Sequence, residues 1–213
     1  MGEWGTADFL PGWAALAWAA KGFVLGLSAV GLLFWLQRRL GWVTLEPDAA
    51  WEAPPQLRPL LRPMPMFLVV GAEEVLFRWL ILGRWLLPAA GPWTAITLSS
   101  LLFGAAHVFN ERPYRIRLSA VNAALIGVFL GVAYIVSGSL AHVIAWHFAW
   151  NYAQWSLLGY PLYGSTVVGR WGATVARDGI PPLASGGKSG LEGSLLATAT
   201  AVALTLIYLP RML

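Results

Sequence analysis

Apolar stretches of membrane-crossing length recur through this chain, and they restrict its fold more than any other feature. They run from about Trp13 to Leu36, Met64 to Leu82, Pro92 to Phe109, Leu118 to Ser137, Ser139 to Leu158 and Ser194 to Pro210. A helix of roughly 20 apolar residues crosses a bilayer. Backbone groups in lipid find no water to bond, so helices are expected, and the runs lack the alternating polarity of a transmembrane barrel. The expected fold is therefore all-α: a polytopic transmembrane bundle of about six membrane helices, forming one integral membrane domain over residues 1–213.

Composition removes the other classes. Only 11% of residues are charged, against about 25% in soluble domains. Hydrophobic residues make up 58% of the 213, too many for a soluble globule to cover. Disorder needs the opposite balance. With no cysteine there is no disulfide framework, thiolate metal site or cysteine nucleophile.

The first dozen residues hold Glu3 and Asp8 and no Lys or Arg, and the apolar run that follows is too long for a signal peptide, so a retained helix is expected. The basic residues give an orientation. Arg38, Arg39, Arg58, Arg62, Arg112, Arg115, Arg117, Arg170, Arg177 and Lys188 fall on three connections that six crossings would put on one side, leaving Arg84 and Arg211 on the other. That bias puts both termini outside. The net charge of +4 is accounted for by anionic lipid headgroups, with no nucleic acid partner. The segment 159–193 is rich in Gly and Pro and is expected as an irregular loop, a disordered connector ahead of a lid, before the last membrane helix at 194–210. The lack of similarity between halves weakens a proton-coupled transporter.

Few charges remain inside the apolar runs. A charge at a helix centre costs about 2.5–3.5 kcal/mol on insertion scales. The second run carries Glu73, Glu74 and Arg78 together, an unpaired cost on the order of 8–10 kcal/mol. Glu74 and Arg78 are four residues apart in the favourable acid-first order, so they can neutralise each other. Glu73 is rotated about 100° from Glu74 and remains available for chemistry. A buried ionic knot between helices is the competing structural reading. His107 ends the third run, and His147 shares a face of the fifth with Asn151. His142 points about 140° away from His147 and is assigned to packing. Lys21 is left open between snorkelling and an acidic partner. Gly127–Gly131 and Gly22–Gly26 provide close helix contacts, and Ser137-Gly138-Ser139 forces a tight hairpin.

Peptide hydrolysis is one chemistry that these residue types fit. A buried carboxylate serves as base for a water. An Asn amide and an imidazole N–H donate to a developing oxyanion, more strongly in a dry site.

EEVLFR (Glu73–Arg78), FGAAH (Phe103–His107) and HFAWN (His147–Asn151) resemble, in order and on separate helices, the EExxxR, FxxxH and HxxxN motifs of the CPBP superfamily, the CAAX-protease and bacteriocin-processing intramembrane proteases. The likeness spans about Met66 to Ser156 inside a catalytic core of about 59–158. It implies a glutamate-dependent endopeptidase with its site on helices two, three and five. Glu73 and His107 would activate water, His147 and Asn151 would stabilise the oxyanion, and Glu74 and Arg78 would support them. It also implies a peptide or protein substrate with a membrane-associated tail, and no cofactor. A zinc-dependent version stays open, since Glu73, His107 and His147 form a possible ligand set. So does a non-catalytic membrane binding or immunity factor of the same fold. The expected location is a prokaryotic cytoplasmic membrane, with the site open toward the cytoplasmic half.

Overall fold

The computed structural model describes residues 12–47, 58–110, 117–162 and 164–213. Arg112 and Arg115 of the expected basic connection, and Glu3 and Asp8, lie outside these residues.

Six helices longer than one turn occupy the six apolar stretches. Helix α1 is Gly12–Arg39. Helix α2, Pro63–Glu74, opens with a proline at its first position, where the missing N–H costs nothing, and continues without a break into wider π-helical turns over Val75–Leu86. Helix α3, Leu87–His107, is interrupted by Gly91 at φ 76°, after which Pro92 restarts it. Helix α4 is Leu118–Ser137. Gly138, at φ 60°, caps it in the left-handed region, and the Ser139 hydroxyl accepts the His142 N–H to start α5, Leu140–Asn151. Helix α5 also runs into π turns, over Tyr152–Leu157. Helix α6 is Leu195–Tyr208, capped by Ser194.

The expectation of about six membrane-crossing helices is overturned. Among the described helices, three are long and apolar enough to cross a membrane: α1, α4 and the helical run Gly187–Arg211 around α6. The motif-bearing helices fall short for local reasons. Helix α2 with its π turns carries Glu73, Glu74, Arg78 and Arg84, more charge than an apolar crossing holds. The break at Gly91 divides α3. Helix α5 has 12 residues before its turns widen. The site-bearing helices are thus the irregular ones, set among three regular apolar ones.

Small residues let the helices meet. A Cβ on Gly26 would come within 2.6 Å of the Trp146 carbonyl oxygen, and one on Gly22 would overlap that of His142, so α1 lies directly along α5. Gly127 and Gly131 of α4 face Ser100, Leu82 and Ile96 in the same way. Val30, Leu33, Phe129, Leu130, Trp146 and Trp150 fill the core, while Trp13, Leu16, Trp35, Leu206 and Ile207 are exposed along the outer helices. Three apolar helices with outward apolar faces fit a membrane protein.

The segment expected as a disordered connector is folded. Its strand β2 (Ala173–Ala176) pairs antiparallel with β1 (Val43–Glu46), Val43 opposite Ala176. Buried Tyr160 donates to Gln37 Oε1 at 2.6 Å, and Gln37 Nε2 donates to the Ala184 carbonyl at 2.9 Å, which ties the segment to the end of α1. Burial pushes the Tyr160 phenol well above its ordinary pKa, so it is held as a neutral donor. Ser156 donates to the Leu61 carbonyl at 2.6 Å, bringing the start of α2 to the same end of the bundle. Arg38 and Arg39 end α1, Arg58 precedes α2, and the Arg177 N–H donates to the Trp42 carbonyl there.

The opposite end is closed by His142. Its Nδ1 lies 2.9 Å from the Trp18 carbonyl and its Nε2 2.9 Å from the Tyr208 hydroxyl, joining α1, α5 and α6. The Lys21 ammonium sits 4.6 Å from the centre of the Trp18 ring, its aromatic partner among the described residues.

Candidate active site

The EExxxR residues separate into two roles. Glu74 and Arg78 are fully buried, at 0% and 1% exposure. Arg78 Nη1 donates to Glu74 Oε1 at 3.2 Å, and Nε lies 3.2 Å from Oε2. The guanidinium also stacks on the Phe103 ring at 4.3 Å and reaches the Gly127 carbonyl at 3.5 Å. A buried charge needs such company, because leaving it unpaired costs several kcal/mol. Glu73, one residue earlier, is turned out of this pair and is 32% exposed.

Glu74 has a second partner. His147 Nδ1 lies 2.8 Å from Glu74 Oε1, and an ionised carboxylate only accepts, so Nδ1 is the donor. That fixes the ring and leaves Nε2 facing Glu73, whose Oε2 is 3.8 Å away. His107 is fixed in a similar manner. Its Nδ1 lies 2.8 Å from the Phe103 carbonyl one turn back, which only accepts, so Nε2 is left as an acceptor. Asn151 follows His147 by one helical turn and is 7% exposed, and its Oδ1 has no hydrogen-bond partner among the described residues.

These four side chains meet at one space. Glu73, His107, His147 and Asn151 line a single cavity of about 50 Å³, together with Trp155 and Glu192. About 10–15 Å³ is enough for a water. All six residues taken from the sequence are thus brought together: four on the cavity, and Glu74 with Arg78 behind it.

Two further residues belong to the assembly. Phe103 is the hub, with its ring centre 5.1 Å from Phe77, 4.4 Å from His107 and 5.9 Å from His147. Its sequence signal was the position four residues before His107, on the same face of α3. Glu192, from the Gly/Pro-rich segment, had no signal, because nothing local relates it to α2, α3 or α5.

Among the described residues, no group of three or more His, Cys, Asp or Glu is drawn together as metal ligands.

Residues 55–153 match a family profile described as Rce1-like, Type II CAAX prenyl endopeptidase Rce1-like. This part of the chain, a little under half, is a CAAX-protease/Rce1-like domain of the CPBP superfamily. It holds Glu73, Glu74, Arg78, His107, His147 and Asn151, and leaves out α1, Glu192 and α6. Likeness to this family is consistent with peptidase activity. No curated protein and no solved structure matches the chain.

Proposed function

We propose that this protein is an intramembrane endopeptidase that hydrolyses a peptide bond in or beside the membrane, through Glu73. The observation that carries this reading is the shared cavity, where the Glu73 carboxylate, two oriented imidazoles and an Asn amide surround room for water. Glu73 takes a proton from water, with His107 Nε2 accepting the water's other hydrogen bond. The water oxygen bonds to the substrate carbonyl carbon. The oxyanion is held by the Asn151 amide and by His147, which donates from Nε2 when protonated between Glu73 and Glu74. The C–N bond then breaks, and the proton on Glu73 passes to the leaving amine. Preorganised donors of this kind lower such barriers because they need no rearrangement as charge develops. No metal enters these steps.

The substrate in this reading is a peptide or protein with a membrane-associated tail. The arginine-bearing end of the bundle, near the cavity and the segment 159–193, faces the cytoplasm by the positive-inside rule. The N-terminal end of α1 and the C-terminal end of α6 then face the other side.

The test compares the membrane proteome of cells carrying wild type with that of cells carrying Glu73→Gln, which keeps shape and removes the base. A new N- or C-terminus on a membrane-associated protein is expected only with wild type, and a drop of about a hundredfold or more in its rate of formation with the variant. Identical termini, with the biological effect retained by the variant, would replace this reading with a non-catalytic binding factor.

A further inference from the structure

The cavity holding Glu73 is completed by a carboxylate from outside the matched stretch. Glu192 lies in the helical turns Gly187–Gly193, just before α6. Its backbone is anchored, because Asn122 Nδ2 on α4 donates to the Glu192 carbonyl at 2.7 Å and to that of Ser194 at 3.0 Å. Asn122 Oδ1 accepts from Thr198 of α6 at 2.6 Å, so the amide holding Glu192 is itself held. The Glu192 side chain is partly exposed, and Gln154 Nε2 donates to its Oε1 at 2.9 Å. Glu192 lines the catalytic cavity and also an adjoining pocket that shares His107 and Trp155 and extends to Ser189 and Leu162. It marks where one space leads into the next.

The hydrogen-bonding inventory there is unbalanced. Asn151 Oδ1, on the cavity, is a buried acceptor without a partner among the described residues. Among the described residues, the two pockets are lined by Glu73 and Glu192 and by no Lys or Arg. Arg78 is engaged behind the site by Glu74. Buried acceptors left unmet are costly, and adjacent carboxylates favour a positive group between them. A donor-rich cation from the substrate meets both conditions.

We infer that Glu192 is a specificity-determining residue that receives a Lys or Arg side chain of the substrate, within a few residues of the cleaved bond. This rests on the peptidase reading. Gln at this position keeps the acceptor for Gln154 and removes the charge, so Glu192→Gln isolates the electrostatic part.

The experiment uses the full chain in detergent micelles. Acetylated, amidated apolar peptides that differ only by Lys or norleucine at successive positions are the probes. Cleavage is read by mass spectrometry, and binding to the Glu73→Gln protein by fluorescence anisotropy. At one position Lys is expected to be favoured about tenfold or more, the size of a charge-assisted hydrogen bond. Glu192→Gln brings the Lys-to-norleucine ratio to about one, and Glu192→Lys reverses it in favour of norleucine. Cleavage with no Lys preference, or a preference unchanged in Glu192→Gln, overturns the assignment of Glu192 and leaves the peptidase reading in place. Lys-selective binding that Glu192→Gln abolishes, with no cleavage by wild type, keeps the assignment and removes the peptidase reading. Neither cleavage nor selective binding overturns both.

Discussion

His142 and His147 sit on the same helix, both buried, and they do different things. Both nitrogens of His142 have neutral partners, the Trp18 carbonyl and the Tyr208 hydroxyl. The result is a closed knot that ties three helices at one end of the bundle. His147 is placed between two carboxylates, bonded to Glu74 and facing Glu73. Around it lie a water-sized cavity and an acceptor with no partner among the described residues. Burial of a polar group therefore does not distinguish a site from a structural tie. What distinguishes them is unmet hydrogen-bonding capacity beside open space, because only that can act on something not yet bound.

This contrast can be broken at either histidine. The largest effect is expected from Glu74→Gln. It leaves the Arg78 charge buried without a counter-ion, at a cost of about 3–5 kcal/mol. A lower thermal midpoint in micelles, with activity reduced even in the fraction still folded, is the expected result. A stable, fully active variant would mean that Glu74 does not orient His147. Asn151→Ala comes next. Loss of one oxyanion donor lowers kcat by about 10²–10³ while the fold is retained, and single-turnover kinetics on a cleaved peptide would measure it. A change confined to KM would make Asn151 a binding residue only. The smallest effect is expected at the other end. Tyr208→Phe removes the partner of His142 Nε2, costing about 1 kcal/mol of stability with kcat/KM unchanged. An activity loss as large as that of Asn151→Ala would show that the two ends are coupled.

Local spacing accounts for much of the site. Glu74 and Arg78, and likewise His147 and Asn151, are one helical turn apart, and α-helical periodicity alone puts each pair on one face. The glycine pair of α1 and the Gly138 hairpin were legible in the same way, since small residues and positive φ are local requirements. The number of crossings was not. The apolar runs do not register that α2 widens into π turns, or that Gly91 divides α3. The order within 159–193 was also hidden, because its ties to Gln37, Asn122 and Gln154 are made to helices distant in sequence.

Taken alone, the sequence determined that the chain is helical and apolar, where its six helices lie, and which scarce polar residues stand inside them. Those follow from composition and from periods of a few residues. Tertiary structure decided which carboxylate is locked behind the site and which lines the cavity, because that depends on the contact between Glu74 and His147, 73 positions apart. It also decided that Glu192 closes the cavity, since only the folding of 159–193 onto α4 and α5 carries it there.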